Sequence, residues 1–184
     1  TIHTGHIVRE EIFSCEHREN ISIPAGMKVI LIIGGSQGAY SMTSAVLDAL
    51  KDRGYFIIAV AGRSADMFRD SEYVKILPYT EEMGYLYSIS DAIISRAGAL
   101  SYAEIACTGK PALFIPLPSS KDNHQVHNAV HYCRENSRFR MLEEHLLNSD
   151  SINRTIGELL RLPEGIQCRS NAVEIIQKEI GNYV

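Results

Sequence analysis

Apolar residues fall along this chain in blocks separated by stretches of helical spacing. Lys28 to Ile33 (KVILII) is a continuous, mostly β-branched run, the pattern of a strand covered on both faces in a parallel sheet. Shorter apolar runs follow at Phe56 to Ala61, Val74 to Leu77, Ala92 to Ser95, Pro111 to Ile115 and Phe139 to Leu142. Helices are predicted between them. The first spans Ala39 to Arg53 and is closed by Gly54, followed by a short one at Ser64 to Asp70 and another at Glu81 to Ser88. One more starts just after Gly98, with Leu100, Ile105 and Ala106 on its apolar side, and the next spans Asp122 to Glu135. Two further helices are expected near Ser151 to Leu160 and over Pro163 to Ile180, while Thr1 to Gly26 reads as a lead-in segment with at most a helical turn or two around Arg9 to Phe13. Strands alternating with helices of this length predict an α/β fold, a doubly wound parallel sheet with helices on both faces.

In such a sheet ligands bind beyond the carboxyl ends of the strands, so the turns landing there come next. The strand ending at Ser95 breaks at Arg96-Ala97-Gly98 and a helix begins at once. Backbone N–H groups at a helix start lack intrahelical partners and sit at the positive end of its dipole, which suits a phosphate. Glu104, one turn into that helix, offers a carboxylate that can accept both hydroxyls of a ribose. Gly34-Gly35-Ser36-Gln37-Gly38 forms a second small-residue turn, where the backbone can approach a ligand and the Ser36 hydroxyl can donate to a phosphate or sugar oxygen. The polar cluster Asn123, His124 and Gln125 belongs to the same edge, and its amides suit sugar hydroxyls. Each feature has an ordinary alternative. Tight strand-to-helix turns occur throughout parallel α/β proteins, a helix-borne Glu is commonly solvated, and Asp122 or Asn123 can serve as a helix N-cap.

Composition narrows the class. With 184 residues and 45% hydrophobic content the chain can bury one good core. A net charge of −4, with no basic run, gives no support to nucleic acid as a partner. Cys15, Cys107, Cys133 and Cys168 lack metal-ligand spacing, and a reduced, cytoplasmic setting is the simpler account. No apolar stretch reaches the ~18 residues of a membrane span. The first residue is Thr, so the sequence reads as though cut from something larger.

Taken together, TGHIVR at Thr4 to Arg9, IIGGSQGA at Ile32 to Ala39, ISRAGALSYAEIACTGKPALFIPLP at Ile94 to Pro118 and KDNHQVHNA at Lys121 to Ala129 resemble the carboxyl-terminal half of the MurG-like family. These are bacterial transferases that move N-acetylglucosamine from UDP-N-acetylglucosamine to lipid I in peptidoglycan synthesis. The resemblance implies a GT-B glycosyltransferase built of two Rossmann-like domains. Residues 27–184 would be the donor-binding domain and residues 1–26 a linker from an amino-terminal acceptor domain. It further implies that Arg9, Ser36 and Gln37 line the donor site, that Tyr79 and Thr80 meet the uracil, and that Arg96, Ala99, Leu100 and Ser101 hold the diphosphate. Glu104 would take the ribose, and His124 and Gln125 the sugar hydroxyls. It implies no metal and no cofactor beyond the UDP-sugar substrate. The catalytic base and lipid-linked acceptor site would belong to the amino-terminal domain, and the whole protein would sit peripherally on the inner face of the cell membrane. His6 and Ile7 stand where the family has Asn and Pro, and Tyr40 to Thr43 also depart from its usual pattern. Two other readings stay open: the donor domain of a different nucleotide-sugar transferase or hydrolase, and a non-enzymatic nucleotide-binding module.

Overall fold

The computed structural model describes residues 8–13, 21–35, 39–163, 165–168 and 178. Six strands, β1 (Lys28–Ile33), β2 (Tyr55–Val60), β3 (Val74–Leu77), β4 (Ala92–Ser95), β5 (Ala112–Phe114) and β6 (Phe139–Met141), form one sheet in the order β3-β2-β1-β4-β5-β6. Every pairing between these strands is parallel. Among the described residues, the α-helices α1 (Tyr40–Leu50), α2 (Met83–Ile89), α3 (Ala99–Thr108), α4 (His124–Glu135) and α5 (Ser149–Leu159) flank the sheet. β1 is buried on both faces. Val29, Leu31 and Ile33 join Leu86, Tyr87, Ile105 and Tyr132 of α2, α3 and α4 on one side. Ile30 and Ile32 join Met42, Val46, Ile152 and Ile156 of α1 and α5 on the other. This two-sided burial is why KVILII shows no alternation.

The register decides where the chemistry can be. Leu77 pairs with Val60, Val60 with Ile33, Ile33 with Ser95, Ser95 with Phe114 and Phe114 with Met141. The carboxyl ends of all six strands therefore form one level row, and the segments starting at Gly34, Pro78, Arg96, Ile115 and Leu142 leave the sheet along that edge. Strand order reverses direction between β1 and β4, which opens a crevice at that point.

Several boundaries differ from the sequence expectation. The short helix at Ser64 to Asp70 is a 3-10 helix at Gly62–Met67, and the lead-in turn is a 3-10 turn at Glu10–Phe13 whose Ile12 is buried. Neither Asp122 nor Asn123 caps α4 with its side chain. Asn123 holds the N-cap position as expected, but both residues take positive φ angles of 52° at a kink between a 3-10 turn and the helix, and the helix start receives no side-chain cap. The helix predicted over 163–180 lies largely outside the described residues, and 165–168, inside them, are not helical. Gly109 ends α3 with a φ of 69°, a left-handed conformation that glycine adopts at little cost. No helix among the described residues is long and apolar enough to cross a membrane.

Helix α5 begins at Ser149, two residues before the predicted start, because Asn148 caps it. Its Oδ1 accepts from the Ser151 N–H at 2.9 Å while the Ser151 hydroxyl oxygen accepts from the Asn148 N–H at 3.1 Å, a reciprocal capping box. Asn148→Ala is expected to lower stability by about 1 kcal/mol, measured as a shift of the urea midpoint at unchanged slope. No shift would mean that the packing of Ile152, Ile156 and Leu159 holds the helix unaided.

Candidate functional site

The crevice begins at the β1–α1 turn. Gly34 donates its N–H to the Val60 carbonyl at 2.9 Å, and a Cβ there would stand 3.1 Å from the Ala39 nitrogen and 3.3 Å from the Val60 oxygen. A side chain there would be tightly placed and the neighbouring backbone would have to give by a few tenths of an ångström, so close approach favours glycine. Ser36 and Gln37 lie outside the described residues.

The turn after β4 delivers α3. Gly98 occupies the N-cap position in an extended conformation and supplies no side-chain cap. The N–H groups of Ala99, Leu100 and Ser101 have no hydrogen-bond acceptor among the described residues, so they remain available to an anion. Asn128 of α4 donates to the Ala97 carbonyl at 3.2 Å, which ties the turn to the next helix.

Glu104 is not the solvated helix residue that its sequence position allows. It is 4% exposed, and both of its oxygens are occupied. Oε1 accepts from Arg9 Nε at 2.9 Å and lies 2.8 Å from Arg9 Nη2, while Oε2 accepts from the Tyr87 hydroxyl at 3.0 Å. Burial, with the Glu104 carboxylate beside it, pushes the Tyr87 phenol well above its ordinary range, so the hydroxyl keeps its proton and donates. Burial works to lower the Arg9 pKa, but its bonds and attraction to Glu104 outweigh that and raise it. Residues from the lead-in, α2 and α3 therefore meet at Glu104, and Tyr79 of the β3–α2 loop lies within electrostatic reach of Arg9. Tyr79 is 69% exposed. Thr80, next to it, is buried and uses its hydroxyl oxygen to accept the Glu82 N–H at 2.9 Å, which starts α2.

On the other flank, Gln125 Oε1 accepts the Leu117 N–H at 3.0 Å, and the Gln125 N–H donates to Ser120 Oγ at 3.4 Å. Gln125 thus fastens the loop after β5 to α4, and His124 beside it is exposed. Arg96 turns toward the β5 end. Its Nη1 donates to the carbonyls of Ile115 and Pro116, both at 3.2 Å, and to Glu144 Oε2 at 2.5 Å. Glu144 Oε1 accepts from Ser41 Oγ at 2.5 Å. Burial works to raise the Glu144 carboxyl, but Ser41 and Arg96 together hold it below its ordinary range, so it is ionised at neutral pH.

The structure therefore groups Arg9, Tyr79, Glu104 and the α3 N-terminus on one side of the crevice, with Arg96, Gln125 and His124 around the β5 end. Sequence reasoning missed Tyr87, Asn128, Ser41 and Glu144. Asn128 lies inside the KDNHQVHNA motif and was within reach. Tyr87 reads as core, and nothing local marks Ser41 or Glu144.

Residues 29–179 match the glycosyltransferase family 28 C-terminal domain. Among curated proteins, the chain is 32% identical over 176 residues to the UDP-N-acetylglucosamine–N-acetylmuramyl-(pentapeptide) pyrophosphoryl-undecaprenol N-acetylglucosamine transferase of Caldanaerobacter subterraneus subsp. tengcongensis, covering 87% of this chain and 48% of that protein. It is 32% identical over 191 residues to the protein of the same name from Clostridioides difficile, covering 96% and 46%. The chain thus spans about half the length of these curated relatives. Among solved structures, Acinetobacter baumannii MurG superposes with a TM-score of 0.68 at 23% identity over 87% of this chain and 51% of that one. A Methanocaldococcus jannaschii UDP-GlcNAc 2-epimerase, solved with UDP-GlcNAc and UDP, superposes at 0.56 with 10% identity over 84% and 45%. At these identities the structural likeness speaks for the fold, which is the Rossmann-like carboxyl-terminal half of a GT-B glycosyltransferase. With well over half of its length matched and the sheet and turns in place, the chain belongs to the glycosyltransferase family 28 C-terminal domain family.

Proposed function

We propose that this chain is the donor-binding half of a UDP-N-acetylglucosamine-dependent transferase of the MurG type, a reading carried by the buried Glu104 carboxylate one turn inside α3. A carboxylate placed there, just past a helix start whose N–H groups have no acceptor among the described residues, gives a ribose acceptor and a diphosphate cradle at neighbouring positions. In this reading Tyr79 and Thr80 border the uracil, Ala99, Leu100 and Ser101 receive the diphosphate, and Gln125 and His124 face the sugar. Ser36 and Gln37 complete the phosphate side through the β1–α1 turn.

Three of the roughly four lone-pair positions on Glu104 are already taken, two by Arg9 and one by Tyr87. Tyr87 is buried, whereas the Arg9 side chain is 48% exposed, so Arg9 is the partner that yields to a ribose diol. The released guanidinium then lies beside the nucleotide, where its charge favours a departing diphosphate.

The transfer proposed for the whole protein is an inverting displacement. An acceptor hydroxyl of the lipid-linked muramyl peptide attacks the anomeric carbon as UDP leaves. Residues 27–184 bind the donor and stabilise the leaving group, residues 1–26 link to an acceptor domain, and that domain provides the base. The assembled protein works at the cytoplasmic face of the membrane as a peripheral enzyme. The names of the curated relatives support the donor and acceptor classes.

Calorimetric titration with UDP-N-acetylglucosamine, UDP, ADP and GDP tests the donor reading. UDP and its sugar are expected to bind at least about tenfold more tightly than the purine nucleotides, because a pocket built to pair with one base leaves polar groups unpaired against another. Equal binding of all four, or none by this chain or the full-length protein, would sink it.

A further inference from the structure

The pair Arg96 and Glu144 spans parts of the chain that share no secondary structure. Arg96 leaves the β4–α3 turn and its side chain is 12% exposed. All three of its hydrogen bonds use Nη1. Among the described residues Nε and Nη2 have no acceptor. Glu144 comes from a three-residue 3-10 turn beyond β6, at the far edge of the sheet, and its second oxygen holds the hydroxyl of Ser41 in the first turn of α1. The carboxylate therefore joins the α3 turn to the start of α1, and through Arg96 to the end of β5, across the point where strand order reverses.

Two physical points give this arrangement a purpose. A guanidinium with one nitrogen fixed and the rest of its fork unpaired in a nearly closed setting is costly, unless an acceptor arrives to pair with it. The acceptor that matches a planar fork is a carboxylate or a phosphate. Glu144 also cancels the charge of Arg96, so what Arg96 offers an anion is direction more than net field.

We propose that Glu144 is a positioning residue, which locks Arg96 to the first turn of α1 so that the unpaired N–H groups of Arg96 meet the diphosphate of the nucleotide donor. The inference rests on the donor-site reading above and adds to it a residue from outside the phosphate turns. The rival account has the opposite sign: if Glu144 were simply a negative charge near the diphosphate, removing it would tighten binding.

The test measures UDP and uridine affinities of the full chain for wild type, Glu144→Ala, Glu144→Gln and Ser41→Ala, with thermal melts to establish that each is folded. Glu144→Ala is expected to weaken UDP about tenfold or more, the scale of one misdirected charge-assisted hydrogen bond, and to change uridine less than about twofold. Glu144→Gln keeps an oxygen for Arg96 and is expected to stay within about threefold of wild type. Ser41→Ala, which cuts only the α1 arm, should fall between. UDP binding as tight as wild type or tighter in Glu144→Ala overturns the proposal, and so does a loss shared equally by UDP and uridine, since that is the mark of general damage. If wild type binds UDP selectively while the variants behave alike, only the role of Glu144 falls. If folded wild type binds neither ligand, the donor-site reading falls and takes the positioning role with it.

Discussion

Glu104→Ala is expected to weaken UDP binding about a hundredfold or more, the largest loss of any single change at the crevice. A hydrogen bond to a charged group contributes about 1.5–3 kcal/mol, and a ribose diol makes two of them with one carboxylate. At about 1.4 kcal/mol per factor of ten, two such bonds correspond to roughly two to four decades of affinity. The substitution also strands the Tyr87 hydroxyl, which is buried with Glu104 as its acceptor, at a cost of about 1–3 kcal/mol in stability. Arg9, half-exposed, turns to water. Titration with UDP, beside a denaturation curve showing that the variant is folded under the conditions used, separates the two effects. A folded variant binding UDP as wild type does would remove Glu104 from the nucleotide site.

The largest effect on stability is expected from Phe114→Ala. Phe114 ends β5 with no exposed surface, and its ring meets Phe139 edge-on at 5.2 Å and Tyr132 at 5.5 Å between centroids. Tyr102 of α3 stacks on Tyr132 of α4 at 3.6 Å, so a single aromatic group binds two helices and two strands. Deleting a buried aromatic side chain costs about 3–5 kcal/mol, a large share of the ~5–15 kcal/mol that holds a typical domain together. Urea unfolding should show the midpoint falling steeply. A loss below about 1 kcal/mol would mean that the ring cluster collapses around the gap or is not packed as described.

The middle of the sheet was legible because β1, β2, β4 and β5 are buried on both faces, whereas the edge strands β3 and β6 are only partly covered. A strand such as KVILII must be continuous in apolar residues, and no helix pattern competes with it. The turns were legible for a related reason: glycine is favoured where Gly34 passes close to the Val60 carbonyl, and that preference is written in the residue itself. Helix starts were harder. Asn123 stands at the N-cap position of α4 but in a positive-φ kink that gives no side-chain cap, while Asn148 caps α5 with a full capping box. The hardest features were pairings at long separation. Arg9 to Glu104 spans 95 positions, Ser41 to Glu144 spans 103, and Arg96 to Glu144 spans 48. No local pattern encodes such a pair, because each partner in isolation is an ordinary surface residue. Only the level row of strand ends brings them together.

The 95-residue separation between Arg9 and Glu104 also sets a timetable. On a ribosome adding about 5–20 residues each second, Arg9 is made about 5–20 s before the carboxylate that will hold it. Throughout that interval β1, β2 and β3 can emerge and pair, but the lead-in arginine lacks the carboxylate that holds it in the folded domain. Its docking follows the arrival of α3 and does not guide it.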